Sequence, residues 1–195
     1  MSEGIFAKNG ALLSLWNEHG PELAIREALA PAVIQEAISL GSMVLLGNPR
    51  HGGVRPCLVG QPASVKVNAN LGTSPLSSCI GTEKRKIEAA SRAGADTIMD
   101  LSIAGDLDAI RREMLGLWTR PLGTVPMYSV GQQLMDNGRD IADMRPDELF
   151  GEIAKQAEQG VDFVTVHCGL SRRGAELAVK DARAMGIVSR GGSML

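Results

Sequence analysis

Long apolar runs are missing from this sequence, and none reaches the roughly 18 residues that a membrane-spanning helix needs. The amino-terminal stretch MSEGIFAKNG has no basic start leading into an apolar segment, so no signal peptide is read there. An excess of charge is also missing. Twenty Lys and Arg face 22 Asp and Glu, for a net charge of −2, which excludes the basic footprint of a nucleic-acid or membrane-surface protein. The expected compartment is the cytoplasm, with no nucleic-acid and no membrane partner. Cysteine is scarce: Cys57, Cys79 and Cys168 form neither a disulfide framework nor a metal motif, and the expectation is three free buried thiols with no metal ligand in this chain. Aromatics number only six against nine Met, a core composition better suited to α/β layers than to an all-β sandwich.

What is present is enough apolar material, 44 % of 195 residues, for one adequate core. The first quarter reads as helical. Leu12, Leu13, Leu15 and Trp16 cluster before Gly20, Pro21 opens a segment to Ala30, and Pro31 starts another that runs to Leu40. Met43 to Leu46 is a strand candidate. Residues 48 to 64, rich in Pro and Gly, read as loop and as the boundary between a helical region, 1–64, and the remainder, 65–195.

From Val65 the pattern is regular. Strands are expected at Val65–Asn70, Thr97–Leu101, Gly123–Tyr128, Phe163–His167 and Ile187–Ser189. Helices are expected at Glu83–Ala93, after Asp106, from Pro146 to Gly160, and from Ser171 to Ala184. A weak repeat supports this order. Ala93-Gly94-Ala95-Asp96-Thr97-Ile98 resembles Gln159-Gly160-Val161-Asp162-Phe163-Val164, with a looser copy at Met185–Val188. Repeated helix–Gly–strand junctions imply successive βα units and a parallel sheet covered on both faces. Leu71-Gly72-Thr73-Ser74 is not the glycine fingerprint of a dinucleotide-binding fold. Polar or special residues end every strand, which favours the (β/α)8 TIM-barrel type, where chemistry gathers at strand carboxyl ends. About five βα units do not close such a barrel, so its completion is expected elsewhere.

Three constellations carry candidate chemistry. Asn68 and Asn70 share one face of a strand, Asn68 deeper and Asn70 nearer the mouth, where an amide or ring nitrogen of a ligand could pair with them; turn chemistry at Asn70 explains it equally. His167 is either a donor or acid–base group or a satisfied core histidine. Ser189-Arg190-Gly191-Gly192 suits a phosphate, or is a turn with a surface Arg. Glu83-Lys84-Arg85-Lys86 and Arg111-Arg112-Glu113 read as solvated helix faces.

Together VKVNANLGTSP (65–75), AGADTIMDLS (93–102), GDLDAIRREML (105–115), PLGTVPMYSV (121–130), EQGVDFVTVHCG (158–169) and GIVSRGGS (186–193) resemble the phosphomethylpyrimidine synthase family of thiamine biosynthesis. MVLLGNPRH (43–51) is a looser match to that family's I-P-x-N-x-x-H segment. The resemblance implies a radical S-adenosylmethionine lyase that rearranges 5-aminoimidazole ribonucleotide into 4-amino-5-hydroxymethyl-2-methylpyrimidine phosphate, releasing formate and carbon monoxide. It implies a [4Fe-4S] cluster, S-adenosylmethionine, a divalent metal (zinc or iron) and a homodimer when complete. By motif match, Asn70, Met99, Tyr128 and His167 line the substrate site, and Ser189, Arg190 and Gly191 form its Ser-Arg-Gly segment.

The family's C-x-x-C-x-x-x-x-C cluster motif, its two metal-site histidines and its Asp-Gly-Leu-Arg segment do not occur in these 195 residues. The isolated chain is therefore expected to be inactive in radical chemistry and to supply substrate-pocket residues alone. Two alternatives stay open: the related 5-hydroxybenzimidazole synthase branch of cobalamin lower-ligand synthesis, and a non-catalytic ribonucleotide-binding module or truncated remnant.

Overall fold

A computed structural model of the chain describes residues 4–181 and 184–188. It opens with a short helix α1 (Ile5–Lys8) and a long one, α2 (Gly10–Glu27). The Asn9 side chain caps α2 by accepting the Leu12 N–H at 3.0 Å. Pro21 does not open a new helix; it sits inside α2. A proline costs its helix one hydrogen bond. The buried stripe Leu15, Trp16, Gly20, Leu23 and Ala24 continues across it, so packing outweighs that loss. Gly20 lies against the Trp16 indole, where a Cβ would come within 2.9 Å of the ring.

Next come α3 (Pro31–Ser39), β1 (Met43–Leu46) and β2 (Cys57–Gly60). β2 falls within the expected loop. It pairs antiparallel with β1, from Met43 opposite Gly60 to Leu46 opposite Cys57. The Pro and Gly residues that suggested loop flank a four-residue strand whose Cys57 and Leu58 are buried. α2, α3, β1 and β2 enclose one apolar cluster around Trp16, Leu23, Ile34, Ile38, Met43 and Leu58.

The rest alternates strand and helix: β3 (Asn68–Leu71), α4 (Ile80–Arg92), β4 (Thr97–Asp100), α5 (Leu107–Leu117), β5 (Leu122–Thr124), α6 (Pro126–Asp136), α7 (Pro146–Gln159), β6 (Phe163–Val164) and α8 (Arg172–Lys180). The four strands form one parallel sheet in sequential order, β3-β4-β5-β6. The fold is thus mixed α/β with a parallel sheet. The described residues do not close a barrel. Among the described residues Ile187 and Val188 belong to no strand, where a fifth was expected, and Ser189 lies outside the described residues.

The repeat has a physical meaning. After α4, Gly94 takes φ +80°, and after α7, Gly160 takes φ +106°. Each ends its helix in a left-handed turn that few other residues adopt without strain. The Asp two residues later then clamps the neighbouring strand. Asp96 accepts the Val67 N–H at 2.8 Å and donates its own N–H to Val67 O; Asp162 does the same with Leu122, at 2.7 and 2.9 Å.

The face of the sheet toward α4 and α5 builds the main core. Ala69, Leu71, Ile98, Leu122 and Val164 pack with Ile87, Ile110 and Met114 of α4 and α5 into the main core. Asn68 and Asn70 stand exposed on the opposite face, so the sheet is not covered on both faces by the described residues. β3 alternates, with exposed Asn68 and Asn70 between Ala69 and buried Leu71, whereas in β4 Thr97, Ile98 and Asp100 are all buried.

The two apolar clusters are joined through residues 48–55. Asn48 donates its backbone N–H to Asp162 Oδ1 at 2.7 Å and its side-chain amide to the Ala157 and Val161 carbonyls. His51 is buried, with Nδ1 2.7 Å from Asp162 Oδ2 and Nε2 3.1 and 2.7 Å from the Leu115 and Trp118 carbonyls. All of these partners are acceptors, which calls for a doubly protonated imidazolium. Burial pulls the His51 pKa down, but the hydrogen bond and charge of Asp162 and the two carbonyls outweigh it and leave it raised. Asn48 and His51 are the two fixed polar positions of the loose 43–51 match, and here both act as structural pins.

Candidate functional site

In a parallel sheet the carboxyl ends of all strands share one edge. Asn70 lies directly opposite Met99, Met99 opposite Gly123, and Gly123 opposite Phe163, so a single row crosses all four strands on the face that carries Asn68 and Asn70. Gly123 is required there, because a Cβ would run into the Phe163 ring. Asn68 Nδ2 donates to Asn70 Oδ1 at 2.8 Å, and Thr97 Oγ1 donates to Asn68 Oδ1 at 2.8 Å. The Asn70 amide nitrogen thus keeps its donors for something else, while its carbonyl is fixed from behind. Thr165 Oγ1 lies 3.7 Å from Met99 Sδ, which extends the row to the segment after β6. Asn70 lies nearer the carboxyl end of β3 than Asn68, and both amides are exposed.

Tyr128 does not end a strand. β5 stops at Thr124, Pro126 occupies the first turn of α6, and Tyr128 is the third residue of that helix. Proline at the first helical position was the available sequence signal. His167 follows β6 by three residues, and β6 itself is only Phe163–Val164 rather than a strand to His167. The His167 Nδ1 atom is buried and has no hydrogen-bond partner among the described residues. Asn70 and Met99 therefore meet across the sheet, while Tyr128 and His167 each follow the carboxyl end of an adjoining strand. Ser189, Arg190 and Gly191 lie outside the described residues.

A polar framework beneath this edge escaped the sequence reading. Gly72, at φ +143°, packs so closely that a Cβ would lie 2.5 Å from Ser102 N. Its N–H goes to Glu83 Oε2 at 2.9 Å, and Lys86 pairs with Glu83 at 2.6 Å while donating to Gly72 O at 3.0 Å. Thr73 N–H donates to Ser102 Oγ, and Ser102 N–H to Asp100 Oδ1 at 2.9 Å. Burial pushes the Asp100 carboxyl up, against the Ser102 hydrogen bonds that pull it down. Glu83 is fully buried, so the solvated-face reading holds for Lys84 and Arg85 but not for it.

Arg111 corrects the second such reading. Its side chain is 2 % exposed and bonds Asp108 at 2.8 Å, Gln159 at 2.6 Å and Ser129 at 3.0 Å. Ser129 and Glu152 in turn hold Gln156, which accepts the Thr124 hydroxyl at 2.5 Å. This network ties α5, α6 and α7 to the carboxyl end of β5.

Against known proteins, the model of the radical SAM ThiC family matches residues 9–195. The chain belongs to the radical SAM ThiC family. It is similar to proteins named phosphomethylpyrimidine synthase. It is 40 % identical to that of Syntrophus aciditrophicus over 171 residues, which cover 88 % of this chain and 40 % of the relative. For Geobacter metallireducens the identity is 42 % over 173 residues, covering 88 % and 40 %. For Pyrococcus furiosus it is 38 % over 189 residues, covering 97 % and 43 %. The chain thus spans about two-fifths of the length of these relatives.

Membership in the ThiC family implies a [4Fe-4S] cluster and S-adenosylmethionine. The three thiols do not fit such a cluster. Cys57 is buried, and burial pushes its thiol up to about 11, so it stays protonated at neutral pH. Cys79 and Cys168 are exposed rather than buried as expected. Among the described residues, no group of three or more His, Cys, Asp or Glu is placed to hold a metal ion. No helix of the described residues is long and apolar enough to cross a membrane.

Proposed function

We propose that this chain supplies part of the 5-aminoimidazole ribonucleotide site of a cytoplasmic phosphomethylpyrimidine synthase, and that its sheet is the first part of a (β/α)8 barrel. The observation that carries this reading is the Asn70–Met99–Gly123–Phe163 row at the carboxyl edge, in a chain of the ThiC family. The sequential strand order suits a barrel, which has no reversal of direction, better than a doubly wound sheet.

In this reading the free Asn70 amide donors hold polar atoms of the substrate, and the Met99 thioether packs against its imidazole ring. Tyr128 and His167 close the site from the next two strand ends, with the unpaired His167 Nδ1 facing a ligand atom. Ser189, Arg190 and Gly191 take the phosphate, where a guanidinium fork and open backbone suit its oxygens. The cluster, S-adenosylmethionine and the zinc or iron are held by protein outside these 195 residues, and the complete enzyme is a homodimer.

A chimera tests this. Residues 21–195 replace the corresponding segment of the Syntrophus aciditrophicus relative, and the product is identified after anaerobic turnover. The expected product is hydroxymethylpyrimidine phosphate, with kcat/KM falling about 100-fold or more when Asn70→Ala removes its contacts. Formation of 5-hydroxybenzimidazole transfers the chain to the other branch. A folded chimera that binds the ribonucleotide without turnover contradicts the enzymatic reading.

A further inference from the structure

The amino edge of the sheet, opposite the site above, carries a second concentration of charge. A cavity of about 280 Å³ opens between α2, the segment before β2 and the turns leading into β4 and β5. Arg26, Arg55 and Arg120 line it, together with Glu22 and Asp96. An adjoining cavity of about 310 Å³ shares Arg55 and Arg120 as walls.

Each guanidinium is held in place by a neutral group. Arg26 donates to Pro56 O at 3.0 Å, Arg120 to Ala95 O, and Arg55 to Thr119 Oγ1 at 3.3 Å. Arg120 is also braced over the Trp118 ring, 5.4 Å from its centroid. No described carboxylate comes within 4.0 Å of the Arg55 or Arg120 guanidinium. Among the described residues, Arg26 pairs with Glu27 at 4.0 Å, and Glu27 is engaged by Lys66 at 2.9 Å. Asp96 accepts the Val67 N–H at 2.8 Å and, like Glu22, brings a carboxylate to the cavity wall. Each guanidinium has five N–H donors, more than the single hydrogen bond described for it uses.

We propose that this cavity is a binding site for a small phosphate-bearing anion, distinct from the carboxyl-edge site. Three pinned guanidinium forks, two of them (Arg55 and Arg120) with no described carboxylate within 4.0 Å, match the oxygens of a phosphate monoester or diphosphate. Glu22, at the rim, opposes the anion's charge and tunes the affinity downward.

The test is calorimetric titration of the full 195-residue chain with inorganic pyrophosphate and with inorganic phosphate, at fixed ionic strength in chloride. Saturable binding is expected, tighter for pyrophosphate, weakened about tenfold by Arg55→Gln and strengthened by Glu22→Gln. Arg55 and Glu22 are exposed, and circular dichroism confirms that each variant folds. The inference is overturned if neither anion gives saturable heat, or if affinity is unchanged in both variants. Asn70→Ala leaves pyrophosphate binding intact, so failure here and failure at the ribonucleotide site are read separately.

Discussion

Replacing Asp162 with Asn is expected to destabilise the chain by about 3–5 kcal/mol, the usual cost of breaking a buried ion pair by removing one partner. The Asp162 and His51 side chains are 0 and 1 % exposed, so solvent does not screen the pair. The same carboxylate also accepts the Leu122 and Asn48 N–H groups, so the loss reaches both apolar clusters. The pH dependence follows from the raised His51 pKa. His51 binds its proton more tightly folded than unfolded, so its contribution is fully present below about 6.5 and is lost as pH rises through the folded-state value. Once deprotonated, Nε2 turns a lone pair toward the Leu115 and Trp118 carbonyls. Urea unfolding at pH 6 and at pH 9 checks both points. The gap between the native chain and Asp162→Asn should narrow at the higher pH, and a gap independent of pH would remove the imidazolium from the account.

The second large effect separates two neighbouring arginines. Arg111→Met is expected to cost about 3–5 kcal/mol, because it leaves Asp108, Glu152 and Gln159 facing a buried position with no guanidinium. Arg112→Met, one residue on and exposed, should change stability by less than about 0.5 kcal/mol. Lys155 still pairs with Asp108 and Glu152 in the Arg111 variant, at 3.0 and 2.7 Å in the native chain, and this sets the lower end of the range. Equal effects for the two substitutions would contradict the buried network.

These two arginines show what a single sequence conceals. A helix face is legible from its apolar period, as at Ile110 and Met114, which are buried in the main core. Which of two adjacent charged residues turns inward depends on acceptors distant in the chain, here Ser129 and Gln159. Glu83 was missed for the same reason, since its partner is the N–H of a glycine in a different loop. The βα order was legible because Gly94 and Gly160 end their helices in the same way, and because Asp96 and Asp162 repeat two residues later. The short β2 was not, because proline and glycine at its flanks outweighed four apolar residues. At the carboxyl edge, Asn70 is legible as a strand-end residue and Met99 through the motif match, and the register brings the two face to face. Tyr128 lies in α6 and not at the end of the expected strand Gly123–Tyr128, because Pro126 starts a helix.

The carboxyl-edge site stands or falls on what Met99 senses. With methionine methyl groups isotopically labelled, titration with 5-aminoimidazole ribonucleotide should move the Met99 resonance saturably, while Met43 and Met114, buried in the two apolar clusters, stay in place. Asn70→Ala should weaken that response. A ribonucleotide that leaves Met99 unmoved at saturating concentration, or that shifts only resonances of the opposite face, would contradict the assignment.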